Sequence, residues 1–197
     1  MLGNDVVDLG DPESRAGARH ARFDARAFDR TERALIATSP RGEHERWRLW
    51  AAKESAYKAA RKEDPCTVFS PQRFAVRRAP GGWLAVTVGD RRFRVDVVVD
   101  DERVHAVARH ERDPPETLWA AVASLSSADE DPSAAVRRLA VTTIAPRLGL
   151  AIADLAIDRI GRIPTLRIAG REVAADLSLS HHGRFVAFAC SILRGRP

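Results

Sequence analysis

Glu43-His44-Glu45-Arg46-Trp47-Arg48-Leu49-Trp50-Ala51-Ala52-Lys53-Glu54-Ser55-Ala56-Tyr57-Lys58-Ala59-Ala60-Arg61-Lys62 is the stretch on which the fold turns. It holds neither Gly nor Pro and strings good helix formers together with three aromatics, which predicts one long helix. Trp50, Glu54 and Lys58 recur at four-residue steps and share a face, with Trp47 alongside. Glu54 is thereby placed on an aromatic stripe. A carboxylate in such a half-dry setting must be paired, protonated or metal-bound, because an unpartnered buried charge is costly. The plainer alternative is a surface ion pair between Glu54 and Lys58, worth about 0.3–0.5 kcal/mol.

Outward from this helix, Leu2 to Leu9 reads as a short strand stopped by Gly10-Asp11-Pro12, and Pro12 to Ala37 as one or two short helices with a start near Thr31-Glu32. Past Asp64-Pro65 the character changes. Phe74–Arg77, Trp83–Val88, Phe93–Val99 and Val104–Ala108 read as strands, with turn signals at Pro80-Gly81-Gly82 and Gly89-Asp90. The first half is thus a helix with an antiparallel meander.

Asp113-Pro114-Pro115 reads as a linker, and the order of elements then repeats in shorter form. Leu118–Leu125 suggests a strand, Asp131-Pro132-Ser133 opens a helix running to about Leu148, and Leu166–Ile168, Asp176–Leu179 and Phe185–Ile192 suggest further strands. Arg103, Ala106 and Ala108 of the last strand of the first half recur at the same spacing as Arg184, Ala187 and Ala189. The expectation is an α+β protein of two similar units, 1–112 and 113–197, each a helix packed on a small antiparallel sheet. They would form a pseudo-dimer with the active site in the cleft between them.

Hydrophobic residues make up 45% and charged residues 30% of the 197, which excludes the disordered and disulfide-scaffold classes. The net charge of +5 favours anionic partners without choosing among phosphates, acidic proteins and nucleic acids. Cys66 and Cys190 fit no metal or redox spacing. With no leader-like start and no membrane-length apolar run, the expectation is a cytoplasmic protein without a membrane partner.

Three clusters carry chemistry: Gly3-Asn4-Asp5-Val6-Val7-Asp8-Leu9, the helix residues Trp50 to Lys58, and Leu177-Ser178-Leu179-Ser180-His181. Gly3 would let backbone approach a ligand beside Asp5, and Asp5 with Glu54 could hold Mg²⁺. The alternative for Asp5 is a turn or capping role, and Asp8 is better read as a cap than as a metal ligand. Ser178 and Ser180 lie on one strand face and could donate to phosphate oxygens. The alternative is a solvent-facing polar strand end. Ser180 and His181, neighbours on opposite faces, do not make a hydrolase triad.

In order and combination, Gly3 and Asp5, then Trp50, Lys53, Glu54 and Lys58, then Gly161 and Pro164, then Ser178, Ser180 and His181 resemble the signature of the 4′-phosphopantetheinyl transferase superfamily. The motif order is similar to that of the small holo-acyl-carrier-protein synthases, in a chain long enough to be a duplicated form. The resemblance implies transfer of phosphopantetheine from coenzyme A to a serine of an acidic acyl or peptidyl carrier protein, with release of 3′,5′-ADP. It implies Mg²⁺ on Asp5 and Glu54, catalytic Glu54 and Lys58, and coenzyme A contacts from Lys53, Arg162, Ser180 and His181, in a monomer acting as a pseudo-dimer. Two departures stand out. Val7 occupies the place of a second acidic residue found in the larger branch, with Asp8 or a water as substitute, and Gly161-Arg162-Ile163-Pro164 is one residue longer than the usual glycine-lysine-proline. The rival readings are a non-catalytic coenzyme A or nucleotide-binding module and a nucleic-acid-binding protein. The second is disfavoured because Trp47 and Trp50 sit on the motif helix rather than among basic residues on strands.

Overall fold

The computed structural model describes residues 1–18, 20–111 and 117–192. Strand β1, Leu2–Asp8, leads into helices α1, Phe23–Ala27, and α2, Arg30–Thr38, and then into α3, Gly42–Glu63. Helix α2 starts at Arg30 because Asp29 and Glu32 form a reciprocal capping box, each carboxylate accepting the other's backbone N–H at 2.8 and 2.9 Å. Strands β2, Ala75–Arg78, β3, Leu84–Val88, β4, Arg91–Val99, and β5, Arg103–His110, follow. They join β1 in one antiparallel sheet of order β1-β5-β4-β3-β2. Leu49, Ala52, Ala56 and Ala59 of α3 fill the core against Val76, Val86, Val95 and Ala106 of the sheet. The alanines let the helix lie close to the strands.

The second half begins with β6, Trp119–Ser124, and α4, Pro132–Arg147, whose start is capped by Asp131 as the Asp-Pro-Ser sequence requires. Strands β7, Leu155–Ile160, β8, Ile163–Ile168, β9, Arg171–Glu172, β10, Ala175–His182, and β11, Phe185–Ile192, complete it. They split into two sheets, β10-β11-β6 and β7-β8-β9, where the sequence suggested a single shortened meander. Strand β7 escaped the sequence reading because Asp158 and Arg159 break its apolar run. The expected linker and the boundary between 112 and 113 lie outside the described residues.

In each half the first strand pairs with the last, and the last with its predecessor: β1-β5-β4 and β6-β11-β10. The exposed edges β1 and β10 then meet. The outward N–H of Leu2 donates to the Asp176 carboxylate, that of Asn4 to Ser178 Oγ at 2.9 Å, and that of Asp8 to His182 Nδ1 at 3.1 Å. Both strands advance in the same direction by equal steps, and β10 side chains stand in for the backbone partner that an edge strand lacks. Among the described residues, no helix is long and apolar enough to cross a membrane.

Candidate active site

Alternation along β1 decides what each of its side chains meets. Leu2, Asn4, Val6 and Asp8 turn toward β10 and β11, whereas Gly3, Asp5 and Val7 turn toward α3. Gly3 is there because nothing larger fits: a Cβ at this position would lie 1.9 Å from the carbonyl oxygen of Ser55. The close approach expected of Gly3 is therefore to α3 and not to a ligand. It brings Asp5 down beside Lys58, whose Nζ donates to Asp5 Oδ1 at 2.8 Å and to the carbonyl of Asn4 at 3.0 Å.

Glu54 lies one turn earlier on α3, with Trp50 preceding it on the same face and packed between Phe23 and Phe69. Burial first, and the nearby Asp5 charge second, push the Glu54 carboxyl up to about 7 against the pull of Lys58. Asp5 is also raised, by burial, although Lys58 and His182 oppose the shift. Lys58 bonds to Asp5 rather than to Glu54, so the surface Glu54–Lys58 ion pair weighed from the sequence does not form. Both carboxylates are raised first by burial, and their hard oxygens suit a cation such as Mg²⁺. Asp11, Glu13 and His182 also bring one ligand atom each within 4.8 Å of one another and could hold a cation. There, however, Asp11 already accepts the Glu13 N–H and His182 accepts that of Asp8.

Asp8 faces the opposite side of β1 from Asp5 and cannot join it on one ion. Its carboxylate accepts from the backbone N–H of Gly10 at 2.8 Å and takes both Nε and Nη2 of Arg184. Burial alone would raise it, but the Arg184 hydrogen bonds outweigh that and hold it near 2. It fixes the turn after β1 onto the start of β11.

Beside Lys58 opens a cavity of about 660 Å³. Its walls come from both halves: Lys58 and Arg61 of α3, Arg137 of α4, Arg159 of β7 at the rim and Arg162 of the β7–β8 turn contribute positive charge, His181 of β10 lies among them, and among the described residues no Asp or Glu lines it. Lys62 borders the same space but is committed elsewhere, donating to Asp176, to the carbonyl of Leu2 at 2.7 Å and to that of Leu177 at 2.8 Å.

Of the residues singled out from the sequence, Asp5, Glu54 and Lys58 come together, and Arg162 and His181 face the neighbouring cavity. Two expectations are corrected. Lys53 is completely buried; its ammonium pairs with Glu32 at 2.7 Å and donates to the carbonyls of Pro71 and Phe74 at 2.9 and 2.8 Å, so it reaches no cofactor. Ser180 turns into the joint between the halves, where its hydroxyl donates to Asn4 Oδ1 at 2.9 Å. His181, one residue on, faces the other way into the cavity.

Asn4 is the residue the sequence reading passed over. Fully buried, it donates from Nδ2 to the carbonyl of Ser178 at 2.8 Å and more weakly to that of Ala187 at 3.5 Å, while its Oδ1 accepts from Ser180 and lies 3.2 Å from His105 Nε2. An amide oxygen only accepts, so His105 Nε2 carries the proton. Burial, with Arg103 and Lys58 nearby, lowers the His105 pKa to about 4 and keeps the ring neutral. The signal was the polar residue inside an apolar strand. Arg61 and Arg137 carried no signal, since basic residues on helices ordinarily face solvent.

By architecture the chain is an α+β protein with a cation-walled cavity spanning its two halves. It belongs to the 4′-phosphopantetheinyl transferase superfamily, whose family model matches residues 1–120. That match includes Asp5, Glu54 and Lys58 and ends within β6. Among solved structures, the Chronobacterium ammoniagenes ACPS-CoA complex is similar at 19% identity with a TM-score of 0.45, over 57% of this chain and 98% of that one. Among curated proteins, none matches.

Proposed function

We propose that the protein is a Mg²⁺-dependent 4′-phosphopantetheinyl transferase of the holo-acyl-carrier-protein synthase type, acting on coenzyme A and an apo carrier protein. The observation that carries this reading is the raised Asp5–Glu54 pair beside a cavity whose charged lining is wholly basic. A polyanion with several phosphates matches such a wall, and the carboxylates match the divalent ion that phosphates bring with them.

Asp5 and Glu54 would hold Mg²⁺, which when bound neutralises charge on the diphosphate oxygens. Lys58 stabilises the phosphate under attack, and Arg61, Arg137, Arg162 and His181 bind the remaining phosphates. The acceptor serine Oγ attacks the phosphorus bearing pantetheine, its proton passes to Glu54 or to a water at the site, and the phosphorus–oxygen bond to the departing 3′,5′-ADP breaks. Most of the gain comes from positioning and electrostatic stabilisation, as in other phosphoryl transfers.

The shared strand order of the two halves supports reading them as duplicated units that let a single chain act as a pseudo-dimer. Glu54→Ala should abolish transfer to an apo carrier protein, followed as carrier mass gain, while circular dichroism and melting show an intact fold. Wild-type turnover in that variant would defeat the reading.

A further inference from the structure

Strands β7 and β8 close through Gly161-Arg162, with Ile160 opposite Ile163. Gly161 takes φ +62° while Arg162 does not enter the left-handed region, the pattern of a tight hairpin turn with glycine first. The tip so formed is unlike the rest of the surface. Ile160 is 64% and Ile163 40% exposed. Arg159 and Arg162 flank them with no ion pair among the described residues, whereas Arg167 on the same hairpin closes on Asp158 at 3.3 Å. All four tip residues border the cavity.

We propose that this hairpin tip is the docking surface for the acceptor protein, binding an acidic, apolar-faced patch next to the serine that is modified. The inference rests on the transferase reading and names the place where its partner sits. An acceptor hydroxyl must reach a phosphorus held in the cavity, so the protein surface around that hydroxyl has to meet the rim. At that rim the tip offers two uncovered isoleucines, Ile160 and Ile163, for apolar contact and Arg159 without a carboxylate partner among the described residues, Arg162 being left to the donor phosphates. Exposed apolar side chains beside an uncommitted cation are complementary to a partner with the opposite charge and a matching apolar spot.

The test measures steady-state transfer to an apo carrier protein, together with calorimetric coenzyme A binding, for wild type, Ile160→Asp, Arg159→Glu and the control Val98→Asp. Val98 is 67% exposed on β4 and is not among the residues that line the cavity. The tip variants should raise KM for the carrier roughly tenfold, the scale of an interface anchor, with coenzyme A affinity unchanged. Val98→Asp should match wild type, and added salt should narrow the gap between Arg159→Glu and wild type. Equal weakening of coenzyme A binding would assign the tip to the donor site, and an unchanged carrier KM would remove it from recognition; either overturns the inference. A wild type that binds coenzyme A but modifies no carrier would sink the transferase reading and this inference together. A wild type that modifies the carrier while the tip variants keep pace sinks this one alone.

Discussion

Gly3 leaves no space for even one methyl group, since its added Cβ would sit within 1.9 Å of a helix carbonyl. Gly3→Ala must therefore push α3 away from β1, and the loss of stability should be at least the 1–3 kcal/mol or so typical of overpacking. It also separates Asp5 from Lys58, so transfer should fall along with stability. Lys53 makes a different kind of demand. Removing its ammonium by Lys53→Met strands the buried Glu32 carboxylate and should cost about 3–5 kcal/mol in urea denaturation. Coenzyme A affinity of the folded fraction should not change, and adding Glu32→Gln should return part of the loss. Asp8 sets the acid limit of the joint. Its carboxyl is held near 2 against an ordinary 3.8, so its contribution is complete above pH ~4 and is lost as the pH falls through about 2. Asp8→Asn should destabilise the protein by about 1–2 kcal/mol at neutral pH, and the difference from wild type should shrink across that acid window.

At the scale of elements, β10 carries the argument. Its alternation of Ser178 and Ser180 with Leu177 and Leu179 was legible as a two-faced strand. What each face meets was not, because sequence parity separates two surfaces without saying which one a neighbouring edge will cover. The serines looked like phosphate ligands; in the fold they bind β1. The long helix was legible almost to its ends because it lacks breakers, and its four-residue steps placed Glu54 and Lys58 on one face. Lys53 fell on another face and was assigned by motif alone. Asn4 ties these elements together. Asn4→Ala should strand the Ser180 hydroxyl and the His105 N–H, costing about 3 kcal/mol, and hydrogen exchange of the Leu2–Asp8 amides should quicken. Unchanged exchange there would mean that the side-chain ladder does not hold the two edges.

On the scale of the whole molecule, the two halves meet edge to edge through β1 and β10, and the same meeting brings Lys58 of one half opposite His181 and Arg162 of the other around a common cavity. Neither half encloses that space alone. The carboxylate pair at its side and the basic wall around it make one prediction about the intact chain that separates a transferase from a mere binder. An apo carrier protein incubated with the purified protein, coenzyme A and Mg²⁺ should gain the mass of one phosphopantetheine group and release an equal amount of 3′,5′-ADP. A panel of carriers left at their original masses by a folded protein that binds coenzyme A would contradict the account.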